Sequence, residues 1–306
     1  MPDQAVQASA ETIPRDILEA VKQRQCIVFL GAAANAASPD GSEFTYTTAP
    51  PSGSKMSEML AKRIGYEHSD VSNLQRVSLY AEFQSKGQWT ASRDNLIDFI
   101  RAEVAGPKIM PSPILRMLAE MPFPIYMTTN YDSLLEASVF RAKTLDGIPK
   151  VPIIRIYDPK RNKPPEQVPL DPEERKPVVF KLHGDIDKGE SLVVTEEDYL
   201  EFILKMTDNH AHPIPNQIRA RLNEWLTLFI GYSLKDYNLR LLLRTLRWNI
   251  DQVFKPFFSV DRFPDEVIVS VFQNREKIKV NFIRTDVWNF VPTLYQVIHG
   301  RPYRED

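Results

Sequence analysis

Residues 26–30 read Cys26-Ile27-Val28-Phe29-Leu30 and run straight into Gly31-Ala32-Ala33-Ala34-Asn35. Five consecutive apolar residues leave no polar side for water, so a strand built from them is covered on both faces. The glycine and alanines that follow let the chain turn tightly and bring its backbone close to whatever lies above the strand. Upstream, Ile13, Ile17, Leu18 and Val21 fall at helical spacing and predict a helix over residues 14–25. The unit is helix, buried strand, tight turn.

The same kind of apolar run recurs at 125–127, 151–156, 178–180, 226–230, 257–260 and 280–283, each followed by polar or small residues. Amphipathic stretches at 131–140, 235–249, 265–277 and 288–299 follow strands and their turns. Buried strands alternating with helices predict a parallel sheet in a doubly wound α/β domain. Two stretches interrupt the alternation. Residues 55–104 read as three polar-faced helices, and residues 195–221 as helix with a loop around 210–215; together they form a small helical insert module. The expected arrangement is a single domain over 1–306. Its Rossmann-like core covers about 14–54, 106–194 and 222–306, and the module about 55–105 and 195–221. Residues 38–54, rich in Gly, Pro, Ser and Thr, are expected to form a loop over a ligand, and 159–177, with six prolines, a surface excursion.

A chain of 306 residues with 43% hydrophobic and 25% charged residues supports a large core without covalent staples. A formal net charge of -2 supplies no general field for a polyanion, which disfavours nucleic acid as the primary ligand. The single cysteine, Cys26, excludes an internal disulfide and a four-cysteine zinc ribbon. His68, His210, His212 and His299 lack metal-ligand spacing, apart from the short pair at 210 and 212, and no metal site is expected. With no leader-like N-terminus and no run of about 18 apolar residues, the expected location is the cytoplasm, with no membrane contact. No internal repeat is present.

In open α/β sheets ligands lie at the carboxyl ends of the strands, so the residues that follow each run carry the functional argument. After the first strand, Gly31, Ala32, Ala33 and Asn35 form a small-residue turn suited to a phosphate; an ordinary packed turn explains them equally well. After the second come Thr129, Asn130 and Asp132. A strand-end Asn orients a sugar hydroxyl or a water, yet by itself such an Asn before a helix is more often a cap, and both Asn130 and Asp132 also read as helix caps. After the fourth comes Lys181-Leu182-His183-Gly184-Asp185, which places an imidazole at a strand end. After the fifth comes Gly231-Tyr232-Ser233-Leu234-Lys235-Asp236, ahead of a helix carrying Arg240, Arg244 and Arg247. Asp261 follows the sixth strand and Asp286-Val287 the seventh; each is a ribose or adenine contact or a helix cap.

Taken in order, these strand-end sets resemble the sirtuin-like family: a small-residue phosphate loop, a Thr-x-Asn-x-Asp-type motif, His-Gly and Gly-x-Ser. The resemblance runs from about Cys26 to about Val287. It is closest to a zinc-free bacterial branch matching Thr129-Asn130-Tyr131-Asp132, Lys181-Leu182-His183-Gly184, Gly231-Tyr232-Ser233-Leu234 and Thr195-Glu196-Glu197-Asp198-Tyr199. The usual Gly-Ala-Gly loop is here Gly31-Ala32-Ala33, and the zinc-binding cysteines of the protein deacylases are absent.

The resemblance implies NAD+ as substrate, with Asn130 at the nicotinamide ribose and its water and His183 as general base. Gly31, Ala32, Ala33, Asn35, Thr129, Asp132, Gly231, Ser233, Leu234, Asp261 and Val287 are expected to bind the dinucleotide. The implied reaction is hydrolysis of NAD+ to nicotinamide and ADP-ribose in anti-phage defence. The alternatives are a non-catalytic NAD+ or ADP-ribose sensor and an NAD-dependent ADP-ribosyltransferase or deacylase. A homo-oligomer acting with a HerA-type ATPase is implied, with a short Argonaute as the alternative partner.

Overall fold

The computed structural model describes residues 13–39, 41, 44, 45, 47–160, 167–207, 214–234, 240, 241, 255, 257–273 and 279–304. The helix expected over 235–249, Asp236 within it, Arg244, Arg247 and the pair at 210 and 212 lie outside the described residues, Arg240 and Leu241 excepted.

Helix α1 (Arg15–Lys22) leads into β1 (Cys26–Leu30), and a 3-10 turn, Ala32–Asn35, follows. Next come α2 (Gly53–Ile64), α3 (Leu74–Phe83), α4 (Arg93–Val104) and α5 (Pro113–Glu120), then β2 (Ile125–Thr128) and α6 (Leu134–Arg141). Strands β3 (Ile153–Ile156) and β4 (Val178–Lys181) precede α7 (Glu196–Thr207) and α8 (Asn216–Glu224). The chain continues through β5 (Leu226–Ile230), β6 (Phe257–Val260), α9 (Glu266–Gln273), β7 (Val280–Ile283) and α10 (Val287–His299).

The seven strands form one sheet in the order β3-β4-β2-β1-β5-β6-β7, and every neighbouring pair is parallel. The doubly wound prediction is borne out, and residue alternation along β1 shows why. Cys26, Val28 and Leu30 enter a core that includes Ile17, Val21, Leu118, Val139, Val291 and Leu294 of the helices on one face. Ile27 and Phe29 enter a second core with Phe202, Met206, Ile218, Leu222, Ile268 and Phe272 on the other. Neither face meets water, as an unbroken apolar run requires. The strand order departs from β1 in both directions, to β2 on one side and β5 on the other. This places the topological switch, and so the crevice, above those three strands.

Element boundaries differ from expectation where a local bond overrides periodicity. Helix α6 starts at Leu134 instead of 131 because the Asp132 carboxylate accepts the Leu134 amide at 3.0 Å and holds the preceding residues in a turn. Strand β3 starts at Ile153 because Pro152 has no amide to give the ladder. Helix α5 is absent from the sequence-based expectation. Ser112 caps it by accepting the Leu115 amide at 3.1 Å, and Pro113 occupies its first turn.

The insert module is built from α2, α3 and α4, with Ser52, Asn73 and Ser92 as their N-caps. Their apolar faces share a core with Ile186, Leu192 and Val194 of the segment after β4. The module therefore rests on the stretch that follows His183. Residues 195–221, grouped with the module by sequence, divide their packing: α3 touches α7, while Phe202, Met206, Ile218 and Leu222 face the sheet. Among the described residues no helix is long and apolar enough to cross a membrane.

Candidate functional site

The site is assembled at the carboxyl ends of β4, β2, β1 and β5, which are consecutive in the sheet. Thr128 of β2 pairs in register with Lys181 of β4, and the Leu182 amide extends the ladder to the Thr128 carbonyl at 2.8 Å. Asn130 and His183 each lie two residues beyond that pair, on strands about 4.8 Å apart.

Thr128 is buried, and its hydroxyl joins three elements. It donates to the Leu30 carbonyl of β1 at 2.9 Å and accepts the Asn130 amide at 3.0 Å. The backbone of Asn130 is thereby tied to β1, while no described residue hydrogen-bonds its half-exposed carboxamide. The two readings of this motif separate here: Asp132 makes the turn that starts α6, and Asn130 is left for another partner. Thr129 bonds the Tyr232 hydroxyl at 2.7 Å, linking the ends of β2 and β5.

The turns after β1 and β5 interlock. The Gly31 amide donates to the Ile230 carbonyl at 2.9 Å, and the Ala33 amide to the Gly231 carbonyl at 3.2 Å. A β-carbon on Gly31 would collide with the Gly231 carbonyl oxygen and with the Tyr232 ring; Gly231 itself has a φ of 75°. Ala32 and Ala33 are exposed on the turn. Asn35 is 1% exposed; its carboxamide oxygen accepts the Ser112 amide at 2.6 Å and its nitrogen donates to the Met110 carbonyl at 3.2 Å. Its side chain thus fixes the entry to α5. Leu234 is packed in the second core, and Ser233 is exposed.

His183 is 6% exposed, between the rings of Tyr199 at 4.9 Å and Phe202 at 5.1 Å. Its Nδ1 lies 3.3 Å from the Tyr199 hydroxyl, and its buried Nε2 has no hydrogen-bond partner among the described residues. Burial lowers the imidazole pKa to about 3, so the ring is neutral near pH 7. Gly184, at φ 84°, abuts the Ser191 carbonyl, and the Val193 amide donates to the His183 carbonyl at 3.0 Å.

Beneath the two strand ends lies Lys181, fully buried with its ammonium among oxygens. It contacts the Asp132 carbonyl at 2.6 Å, the Tyr131 carbonyl at 3.2 Å, Glu136 at 2.7 Å and Asp185 at 2.8 Å. Burial opposes its charge, and the two carboxylates outweigh burial and raise its pKa. Burial raises the pKa values of Glu136 and Asp132, and Lys181 offsets part of the rise.

Two of the expected dinucleotide residues lie farther along the sheet, after β6 and β7. The Asp261 carboxylate accepts the Phe263 amide at 3.0 Å. Asp286 caps α10 through the Asn289 amide at 2.8 Å, with Val287 in its first turn. Asp286 is the helix cap expected of it, whereas Asp261 only makes a turn ahead of α9, which Asp265 caps by accepting the Val267 and Ile268 amides at 3.0 and 3.1 Å. Part of the loop expected over a ligand is anchored instead of free: Phe44 and Ala49 pack with Ala37 against Trp288, and the Met110 amide reaches the Thr48 carbonyl at 3.0 Å.

Sequence reasoning assigned no role to Tyr199, Tyr232, Thr128 or Lys181. Lys181 stands two residues before His183, so adjacency was its signal; the other three act through folded contacts. Among the described residues no group of His, Cys, Asp and Glu side chains could hold a metal.

Residues 124–283 match the family described as SIR2-like domain. The chain is 27% identical over 202 residues to the NAD(+) hydrolase ThsA of Enterococcus faecium, covering 66% of this chain and 38% of that protein. It is 27% identical over 264 residues to the protein of the same name from Bacillus cereus (strain MSX-D12), covering 84% and 48%. It is 32% identical over 107 residues to Defense-associated sirtuin 2 of Bacillus subtilis, covering 33% and 10%. The chain spans less than half the length of these curated relatives.

Proposed function

The chain belongs to the family of SIR2-like domains, and from that premise we propose that it is an NAD+ glycohydrolase releasing nicotinamide and ADP-ribose. One observation carries the reading. A carboxamide, Asn130, and an imidazole nitrogen, His183 Nε2, both without a partner among the described residues, stand at equivalent positions beyond the ends of adjacent strands. The names of the curated relatives support NAD+ as the substrate and defence as the setting.

The reaction breaks the bond between the ribose C1′ and the pyridinium nitrogen, whose electron pair leaves with a neutral nicotinamide. No strong general acid is therefore needed, and the carboxylate pair usual in sugar hydrolysis is dispensable. In this scheme Asn130 orients the ribose and the attacking water. Water oxygen bonds to C1′ while His183 Nε2 accepts its proton. The turns at Gly31, Ala32, Ala33 and Gly231 approach the diphosphate, with Thr129 and Ser233 near the sugar and Asp261 and Val287 toward the adenosine. Asn35, Asp132 and Leu234 serve this site through their packing, since their side chains are engaged elsewhere.

Unchecked hydrolysis would empty the cell of NAD+, so the proposal includes control by assembly: a cytoplasmic homo-oligomer acting with a HerA-type ATPase, or with a short Argonaute, in antiviral defence. The test is nicotinamide release from NAD+ by the purified chain, alone and with its neighbouring gene products. Asn130→Ala and His183→Ala are expected to lower release at least a hundredfold. NAD+ binding with no release under any of these conditions would favour the sensor reading, and label appearing on protein would indicate ADP-ribosyl transfer.

A further inference from the structure

Resting on that reading of the site, we infer that Lys181 is a positioning residue whose ammonium sets the distance between the Asn130 loop and the His183 loop. The two loops leave neighbouring strands and, among the described residues, share no other buried cation. From β4, Lys181 reaches sideways to the carbonyls of Tyr131 and Asp132, the two residues that follow Asn130. The same ammonium pairs with Asp185, two residues after His183, and with Glu136 in the first turn of α6. Four oxygens from three segments thus meet within 3.2 Å of one nitrogen.

The surroundings make this clamp rigid. Lys181 is 0% exposed, and the side chains of Glu136 and Asp185 are 8% and 9% exposed, so water cannot substitute for a lost contact. Asp185 is itself held, accepting the Asp187 amide at 2.8 Å, while its own amide donates to Ser191 Oγ at 3.0 Å. Across the gap the Tyr131 carbonyl also accepts the Ile186 amide at 3.0 Å, and the Tyr131 hydroxyl donates to the Val193 carbonyl at 2.9 Å. Backbone bonds tie the loops on their outer side, and Lys181 ties them beneath the reacting residues. It touches neither Asn130 nor His183, so its influence on the reaction is geometric. A displacement near 1 Å in such a pair is worth about a hundredfold in rate.

Lys181→Met alone strands two carboxylates and is expected to lower the melting temperature. The informative protein is Lys181→Met/Glu136→Leu/Asp185→Asn, because replacing a buried ion cluster by neutral groups restores packing but gives the carbonyls of residues 131 and 132 no donor. Expected are a melting temperature closer to wild type than that of the single variant, kcat for nicotinamide release down at least tenfold, and KM for NAD+ within threefold. Independently of turnover, the imidazole resonances of His183, assigned by their loss in His183→Asn, are expected to shift in the triple variant. A triple variant with kcat within threefold of wild type, or with unchanged His183 resonances, overturns the inference. If wild type releases no nicotinamide, the hydrolase reading fails by itself, and the resonances still decide the role of Lys181.

Discussion

Gly31 and Gly231 occupy one another's side-chain space: each is backed by the other's turn so closely that a β-carbon on either meets main-chain atoms. Gly31 faces the Gly231 carbonyl, and Gly231 faces the Ala34 amide nitrogen. The contact welds β1 to β5 at the topological switch. Glycine is required there by space, and at Gly231 by backbone angle as well.

Gly231→Ala combines strain at φ 75° with overpacking against the 3-10 turn. It should cost about 3 kcal/mol of stability, whereas Gly147→Ala, at φ 79° with open space around it, should cost about 1 kcal/mol. Urea unfolding of the two proteins compares them directly. Equal losses would show that the backbone angle alone matters and that the interlock is loose.

Thr128→Val keeps the side-chain volume and removes the hydroxyl that bridges Leu30 and Asn130. Leaving those buried groups without a partner costs about 1–3 kcal/mol. Because the Asn130 amide loses its anchor, kcat for nicotinamide release should fall further than the stability loss explains, with Thr128→Ser close to wild type. Steady-state kinetics well below the melting temperature separates the two effects. A valine variant with normal kcat would mean that Asn130 is held by other contacts.

The sheet was readable because its cause is local: a strand buried on both faces leaves an unbroken apolar run, as residues 26–30, 125–127 and 178–180 do in the sequence itself. Strand order was not readable, since the placement of β4 between β3 and β2 depends on packing across the chain. The same division runs through the site. Asn130 and His183 announce themselves by position at strand ends, and the Tyr199 hydroxyl beside His183 belongs to a helix 16 residues away. Sequence left Asn130 and Asp132 both open to capping; only the bond from the Leu134 amide to Asp132 separated them.

Asp198 joins the insert module to the segment beside His183. Its carboxylate accepts the Val194 and Thr195 amides, each at 3.0 Å, and pairs with Arg93 at 2.6 Å and Lys160 at 2.8 Å. Burial alone would raise its pKa; Arg93, Lys160 and the two amides together outweigh burial and hold it below the usual range. Asp198→Asn leaves Arg93 with Glu82, at 2.7 Å, as its remaining carboxylate and takes the charge partner from Lys160, in a site that is 6% exposed on the acid side, at a cost of about 2 kcal/mol. With a depressed folded pKa, the wild-type contribution is present above the ordinary carboxylate range and is lost as the pH falls through the folded value. Denaturant titrations of both proteins at pH 7 measure the difference, and a loss below about 1 kcal/mol would reduce the pair to a surface contact.

His183 gives the opposite kind of group the same pH sign. Its folded pKa, about 3, lies below the ordinary imidazole value because burial disfavours the cation. Below about pH 6.5 the unfolded chain binds a proton that the folded chain refuses, so stability present above that pH declines by about 1.4 kcal/mol per unit toward pH 3. Between pH 7.5 and 5.0 His183 should account for about 2 kcal/mol, and His183→Asn should remove that part of the slope. His299, also lowered by burial, to about 4, is present in both proteins and cancels in the comparison. In the proposed mechanism the same titration bears on catalysis: the base form of His183 is fully populated down to acidic pH. The pH profile of kcat/KM, which reports the free protein, should therefore stay flat from pH 8 to 5. An acid limb near 6.5 would place His183 in water, and would move the proton-accepting role to an open site instead of the enclosed one formed by Tyr199 and Phe202.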